Sequence, residues 1–329
     1  MTTITPAAVF STNAPFNTST AYSGTFIPTM WSSKMNAKFY TATVFGEIAN
    51  TNWEGEVKNM GDKVIINNIP DLTINTYAVG TGLNYQVPTP STLELTVDKG
   101  KYFAFQCNDV LAYQAQPNLI DVFSGDAAMQ MKIAIDSTVI FNTYSGAAAA
   151  NVGATAGVKS GNYALGTNAS PLALTGANVL QTITGMSGVL DEQNIPESDR
   201  WLLIDPYTRQ LLMQSNAAQA QFMGDSQSMV RNGKIGVLDR FTVFVTNNLP
   251  RGAASAAMTS GDGSESSGST STKRRVLVAG HKSAITFVAQ MTKMETVRNP
   301  NDFGDYIRGL NVYGYKVVKD TALTYAVVS

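Results

Sequence analysis

The sequence predicts an α+β fold in which an uncharged arm and a long strand pair precede one dominant helix and a mixed helix–strand region. Three observations carry the prediction. Residues 92–98 alternate apolar and polar, with Leu93, Leu95 and Val97 on one side and Glu94, Thr96 and Asp98 on the other, the pattern of a half-buried strand. Apolar residues over 118–144 recur at steps of three and four, the spacing of one helix face. From Trp201 onward, short apolar runs read as strands around a helix capped at Asp205-Pro206.

Taken in order, residues 1–33 carry no charge and are rich in Thr, Ser, Asn, Ala and Pro, which reads as an extended arm resting on a neighbouring subunit. A short helical stretch fits 31–52, with Met35, Phe39, Ala42 and Phe45 at helical spacing. A strand at Lys63–Asn67, a bent segment 69–87 holding Pro70, Gly80 and Gly82, and the return through 92–98 and 102–105 suggest one long two-stranded ribbon over 63–106. An isolated ribbon is marginal in water, so this one is expected to lie against something else, with Leu93 and Leu95 on its contact face.

Pro117 precedes the long helix, whose stripe of Ile120, Phe123, Ala127, Met131, Ala134, Thr138 and Phe141 is assigned to core. At about 1.5 Å per residue it forms a rod near 40 Å long. Residues 145–170 are mostly Ala, Gly, Ser and Thr and read as a weakly ordered connector. A second helix covers Gly176–Asp191, with Val179, Leu180, Ile183, Met186, Val189 and Leu190 on one side. Then come a buried strand at Trp201–Ile204, a helix to about Ser215, strands at Lys234–Thr246 and Val276–Ala279, and alternating strands within Gly309–Val328. In 251–272, 18 of 22 residues are Gly, Ala, Ser or Thr, which marks a surface loop of flexible composition.

The totals narrow the function. Charged residues make up 14% of the chain, against about 25% in an ordinary domain, and there is one His and one Cys. Such a chain reads as a building block whose surface is covered by copies of itself. The net charge of −1 gives no field to condense nucleic acid. Cys107 has no disulfide partner and reads as a small buried apolar residue. Residues 1–33 lack Lys and Arg and are broken by Pro6, Pro15 and Pro28, so no export signal is expected. No apolar run approaches the 18 or so residues of a membrane span, so no membrane partner is expected.

Chemistry finds little footing. A single His and a single Cys cannot supply a zinc cluster, and the expected metal, cofactor and catalytic sets are all none. His281 with a carboxylate and Ser would be a hydrolase alternative, but no Gly-x-Ser-x-Gly elbow accompanies it. Asp205 reads as a helix cap. Gly80-Thr81-Gly82 lacks the third glycine and the strand-to-helix setting of a nucleotide loop, and Lys273-Arg274-Arg275 reads as a solvated basic run.

Several phrases in order carry a family resemblance: Gly61-Asp62-Lys63-Val64; Leu95 to Phe105; Asp109 ahead of the long helix; Arg200 to Pro206 followed by Leu211-Leu212; Thr246-Asn247-Asn248-Leu249-Pro250; and Phe303-Gly304-Asp305-Tyr306-Ile307-Arg308-Gly309-Leu310, continuing through Val312 to Val318. From about Phe26 to its end the chain resembles the major capsid (coat) proteins of tailed double-stranded DNA bacteriophages. The resemblance implies an N-terminal arm (1–33), the start of a peripheral domain (34–62), an extended β-loop (63–106), a peripheral domain with spine helix and connector (107–175), an axial domain (176–297) with the loop 251–272, and peripheral return strands (298–329). It implies a non-enzymatic subunit that assembles into pentamers and hexamers of an icosahedral shell around double-stranded DNA, which touches the inner face without sequence specificity. It further implies a separate scaffolding protein, a portal, a decoration protein as a candidate partner, and assembly in the bacterial host cytoplasm into the virion capsid. A nanocompartment shell of the encapsulin type shares the architecture and stands as the alternative. The ribbon has no Lys between Lys63 and Lys99, which argues against cross-links from its tip.

Overall fold

Two strand periods organise the chain, one alternating between two cores and one between a helix and solvent. In the computed structural model the described residues are 41, 43–53, 63–70, 72–80, 82–109, 119–215, 236–252, 258–259, 274–300 and 302–329. The arm, half of the 31–52 helical stretch and most of the 251–272 loop lie outside them. Of the 31–52 stretch, one helical turn is described, α1 (Phe45–Ile48).

The strands are β1 (Lys63–Asn68), β2 (Ser91–Thr96), β3 (Lys99–Asn108), β4 (Arg200–Ile204), β5 (Val237–Leu238), β6 (Phe241–Val245), β7 (Arg251–Gly252), β8 (Arg274–His281), β9 (Ile285–Arg298), β10 (Gly304–Val317) and β11 (Leu323–Val328). The longer helices are α2 (Leu119–Thr143), α3 (Val179–Glu192) and α4 (Pro206–Gln214). A six-stranded sheet runs β11-β8-β4-β6-β5, with β7 on β8. Its centre, β4, is buried at every residue because both faces are covered. Leu202 and Ile204 enter one core with Val179, Ile183, Met186 and Leu190 of α3 and Leu211 and Leu212 of α4. Trp201 and Leu203 enter a second with Ile135, Val139 and Ile140 of α2 and Val44 and Ile48. Arg200 is buried at the strand's start, donating from Nε to the Pro196 carbonyl (2.8 Å) and from Nη2 to the Ile195 carbonyl (2.6 Å) and Asp191 (2.7 Å).

The second sheet, β3-β10-β9, departs from the expected strand pairing of the ribbon. Pairing of β1 extends only over β2, from Lys63↔Thr96 to Asn68↔Ser91, whereas β3 pairs with β10 along ten residues. The ribbon over 63–106 is therefore corrected to 63–96 as a paired unit. The break falls at Val97-Asp98, where the chain leaves one pairing for another. Strand β9 pairs with β10 from Ile285 onward, and β11 returns to the six-stranded sheet beside β8. Both crossings meet at Ala284, whose carbonyl accepts from Val318 N (2.8 Å) and Lys319 N (3.3 Å). Gly309 explains part of the most specific sequence phrase: a Cβ there would stand 2.4 Å from the Phe103 ring on β3.

Two further expectations change. The α2 core seam is Ile135, Asp136, Val139, Ile140 and Thr143, while the expected stripe is half-buried or, at Phe123, exposed. The helix is apolar on more than one side, so periodicity alone did not select the buried one. The 145–170 connector is laced into the body. Asn151 is fully buried; its amide donates to the Thr321 (2.7 Å) and Leu323 (3.0 Å) carbonyls and its side-chain oxygen accepts from Gln193 (2.7 Å). Leu165, Leu172 and Leu174 exchange backbone hydrogen bonds with Val327 and Ser329. Helices α3 and α4 match expectation, and the Asp205 side chain accepts from Thr208 N (3.1 Å) as the α4 cap.

Candidate assembly surface

Beyond Asn68 and Ser91 the ribbon stops being a ladder. Pro70, Pro88 and Pro90 have no N–H to donate. A side chain takes over the pairing: Gln86 accepts from Thr73 N (3.0 Å) through Oε1 and donates to the Thr73 carbonyl (2.7 Å) through Nε2. The two limbs turn at Val79-Gly80. From Val64 to Leu93 the only charged residue is Asp71. Yet Ile69 (94% exposed), Leu72, Ile74 (91%), Tyr77, Val79, Leu83, Tyr85 (84%) and Val87 all face solvent. Large apolar side chains with neither charge nor cover mark an interaction surface.

The root of the ribbon behaves differently. Leu95 is 0% exposed and packs with Val97 and Val288 against Trp53, Val64, Ile66 and Val312. The alternation at 92–98 is as read, but its destination is corrected: Leu95 belongs to this chain's own core and is no contact point for another molecule. Beyond the ladder, by contrast, the large apolar side chains of the described residues stay exposed.

A second exposed patch lies on the β3-β10-β9 sheet. Tyr102 stands opposite Leu310, Tyr306 opposite Val297, and all four are exposed. Between those pairs Arg308 bonds Glu295 (2.6 and 2.9 Å), which also pairs with Lys293; the hydrogen bonds from Lys293 and Arg308 hold the Glu295 carboxyl below its ordinary range. At the sheet's end, Arg298 bridges Asp109 and Asp305 (3.3 Å).

The chemical candidates are accounted for by structure. His281 Nδ1 meets both the hydroxyl (2.8 Å) and the backbone N–H (3.1 Å) of Ser283, closing the β8–β9 turn. Burial, reinforced by Lys319 and Arg200 against the opposing Asp199, holds its pKa below the ordinary 6.5. Arg275 pairs with Asp205 (3.0 Å) and stacks over Tyr207 at 4.2 Å, and Arg274 is buried and donates to the Asn168 carbonyl (2.6 Å). The described part of the basic run is thus paired, not solvated. Cys107 is buried and free. Among the described residues no cluster of His, Cys, Asp and Glu could hold a metal, and no helix is long and apolar enough to cross a membrane. The sequence reading missed Asn151 and Asp136, two buried polar residues whose partners are brought in by the fold.

Comparisons with known proteins give one direction. A family model described as phage capsid protein matches residues 90–326. No curated protein matches the chain in sequence. A structure from Mycobacterium phage Che8 is similar with a TM-score of 0.72 at 21% identity, covering 91% of this chain and 96% of that one. The capsid of cyanophage P-SCSP1u is similar with a TM-score of 0.68 at 16% identity, covering 100% and 99%. The capsid of a native GTA particle is similar with a TM-score of 0.59 at 10% identity, covering 96% and 100%.

Proposed function

The chain belongs to the phage capsid protein family, and from that premise we propose how its parts build a shell. It is a structural major capsid protein of the tailed-bacteriophage kind, a subunit of an icosahedral virion capsid and not an enzyme. The nanocompartment alternative is not favoured, because the matching family is that of phage capsids. The hydrolase reading of His281 falls with it.

In the proposed arrangement subunits join through heterologous contacts that close into pentamers and hexamers. The arm (1–33) and the ribbon tip lap over adjacent subunits. The three-stranded sheet with α2 serves as the peripheral part, and the six-stranded sheet with α3 and α4 as the axial part. The shell encloses double-stranded DNA without sequence recognition, in keeping with a net charge of −1. A separate scaffolding protein and a portal take part in assembly in the bacterial cytoplasm, and a decoration protein is a candidate outer partner.

The exposed tip carries this reading. Burying a large apolar side chain is worth about 1.5–3 kcal/mol, so eight of them supply an association energy comparable to a domain's net stability of about 5–15 kcal/mol. Replacing residues 69–89 by a short Gly-Ser turn tests it. The expected product is a folded subunit with unchanged circular dichroism that forms no closed shells by electron microscopy; normal shells would refute the tip's role.

A further inference from the structure

Asp136 is fully buried in the middle of α2, and among the described residues no Lys, Arg or His pairs with it. Its Oδ1 accepts from Val44 N (2.9 Å) and Phe45 N (2.8 Å), and its Oδ2 accepts from the Asn248 amide (2.6 Å). Those two N–H groups open α1, a single turn with no side-chain cap of its own. The first N–H groups of a helix have no partner within it. Here a carboxylate 92 residues away in sequence supplies one. A buried charge without a counter-ion is costly, and three donors converging on one carboxylate offset that cost.

The position of this cap gives it consequence. Val44, Ile48 and Ala49 are buried against Ile135, Val139, Ile140, Leu249, Ile285 and Phe287. At the other end of the segment Asn50 pairs with β9, donating to the Ile285 carbonyl (2.8 Å) and accepting from Phe287 N (3.0 Å). Residues 43–50 are therefore clamped at both ends, and they stand in sequence between the arm and the ribbon. Asn248 also ties the clamp to the end of β6, in the phrase Thr246-Asn247-Asn248-Leu249-Pro250.

We infer that Asp136 is a positioning residue for assembly: it latches residues 43–50, which follow the arm in sequence, to the long helix. The inference rests on the shell reading for its consequence, but not for the latch itself. Full-length D136A and D136N test both, by amide exchange of peptides covering 43–50, 200–204 and 274–281 and by counting closed particles in electron micrographs. In D136A exchange at 43–50 rises about tenfold or more, the loss expected for hydrogen bonds to a charged group. The other two peptides stay as in the parent, and closed particles become scarce. D136N retains both properties, because its oxygen still accepts from Val44 and Phe45 while a turned Asn248 amide accepts from its NH2. Unchanged exchange at 43–50 in D136A overturns the latch, and so does an equal rise in all three peptides. If D136A does not fold, N248A replaces it, with a rise of a few-fold confined to 43–50 expected and no rise overturning the proposal. A parent chain that forms no particles would sink the shell reading while leaving the exchange test intact.

Discussion

The ribbon tip and the 145–174 connector are both long, nearly uncharged and almost free of regular secondary structure, yet one lies open and the other is woven into the body. Side-chain size separates them. The connector is built of small residues, so its backbone approaches β11 closely enough for main-chain groups to pair. At Gly166, where φ is +72°, a Cβ would stand 2.3 Å from the Val327 carbonyl. Its neighbour Leu165 accepts from Val327 N (2.8 Å), and Glu192 caps Lys159 N (2.8 Å) and Ser160 N (3.2 Å) from α3. The tip has large side chains and three prolines, and its limbs are joined by the Gln86–Thr73 pair while its large apolar side chains stay exposed. Low charge therefore has two physical meanings in one molecule. With small residues it permits close internal packing, and with large ones it demands an external partner.

The largest effect is expected where the connector is tied down. Truncation in Asn151→Ala removes a partner from the buried Leu323 carbonyl and from the part-buried Thr321 carbonyl and Gln193 amide. Unpaired buried groups cost about 1–3 kcal/mol each, so the subunit should lose about 3 kcal/mol and, with an unfolding entropy that scales with its 329 residues, melt roughly 4 °C lower. Calorimetry of unassembled subunits measures this. An unchanged midpoint would mean that the connector contributes no more to the fold than the tip does.

A smaller effect sharpens the contrast through pH. Asn151 does not titrate, so its own hydrogen bonds do not respond to acid. The other buried polar hub, Asp136, does titrate: burial raises its pKa above the ordinary 3.8, outweighing the hydrogen bonds from Asn248, Val44 and Phe45. Between 3.8 and the raised value the folded chain holds a proton that the unfolded chain has released. Stability from this group is therefore full below 3.8 and is lost as pH climbs through the folded pKa. Melting of the parent and D136N from pH 3.5 to 7 should show the parent falling relative to the variant as pH rises. Parallel curves would mean that Asp136 is ionised alike in both states.

What sequence disclosed was local. The alternation at 92–98, the length of α2, the α3 face and the Asp205 cap depend on neighbours within a few residues, and each can be read from spacing. The pairing of β3 with β10 joins residues about 200 positions apart, and the return of β11 to β8 follows from a crossing at Ala284 that no periodicity announces. The same holds for the candidate surface. That the ribbon has no Lys between Lys63 and Lys99 was legible, but the division between a packed root at Leu95 and a bare tip at Ile74 was not. Both residues sit in similar local sequence, and only the placement of Trp53, Val288 and Val312 distinguishes them.

The smallest effect on the fold is the most telling. Ile74 is exposed in the isolated chain, so Ile74→Asp removes no contact that holds the subunit together. Surface changes of this kind usually shift stability by less than about 0.5 kcal/mol, and the melting midpoint of unassembled Ile74→Asp should match the parent. Assembly should respond instead, because a carboxylate placed under a neighbouring subunit must be desolvated without a partner. Light scattering of assembling subunits should then show slower and less complete shell growth than for the parent. A midpoint lowered as far as that of Asn151→Ala would place Ile74 in the subunit's own interior and erase the distinction between the two loops.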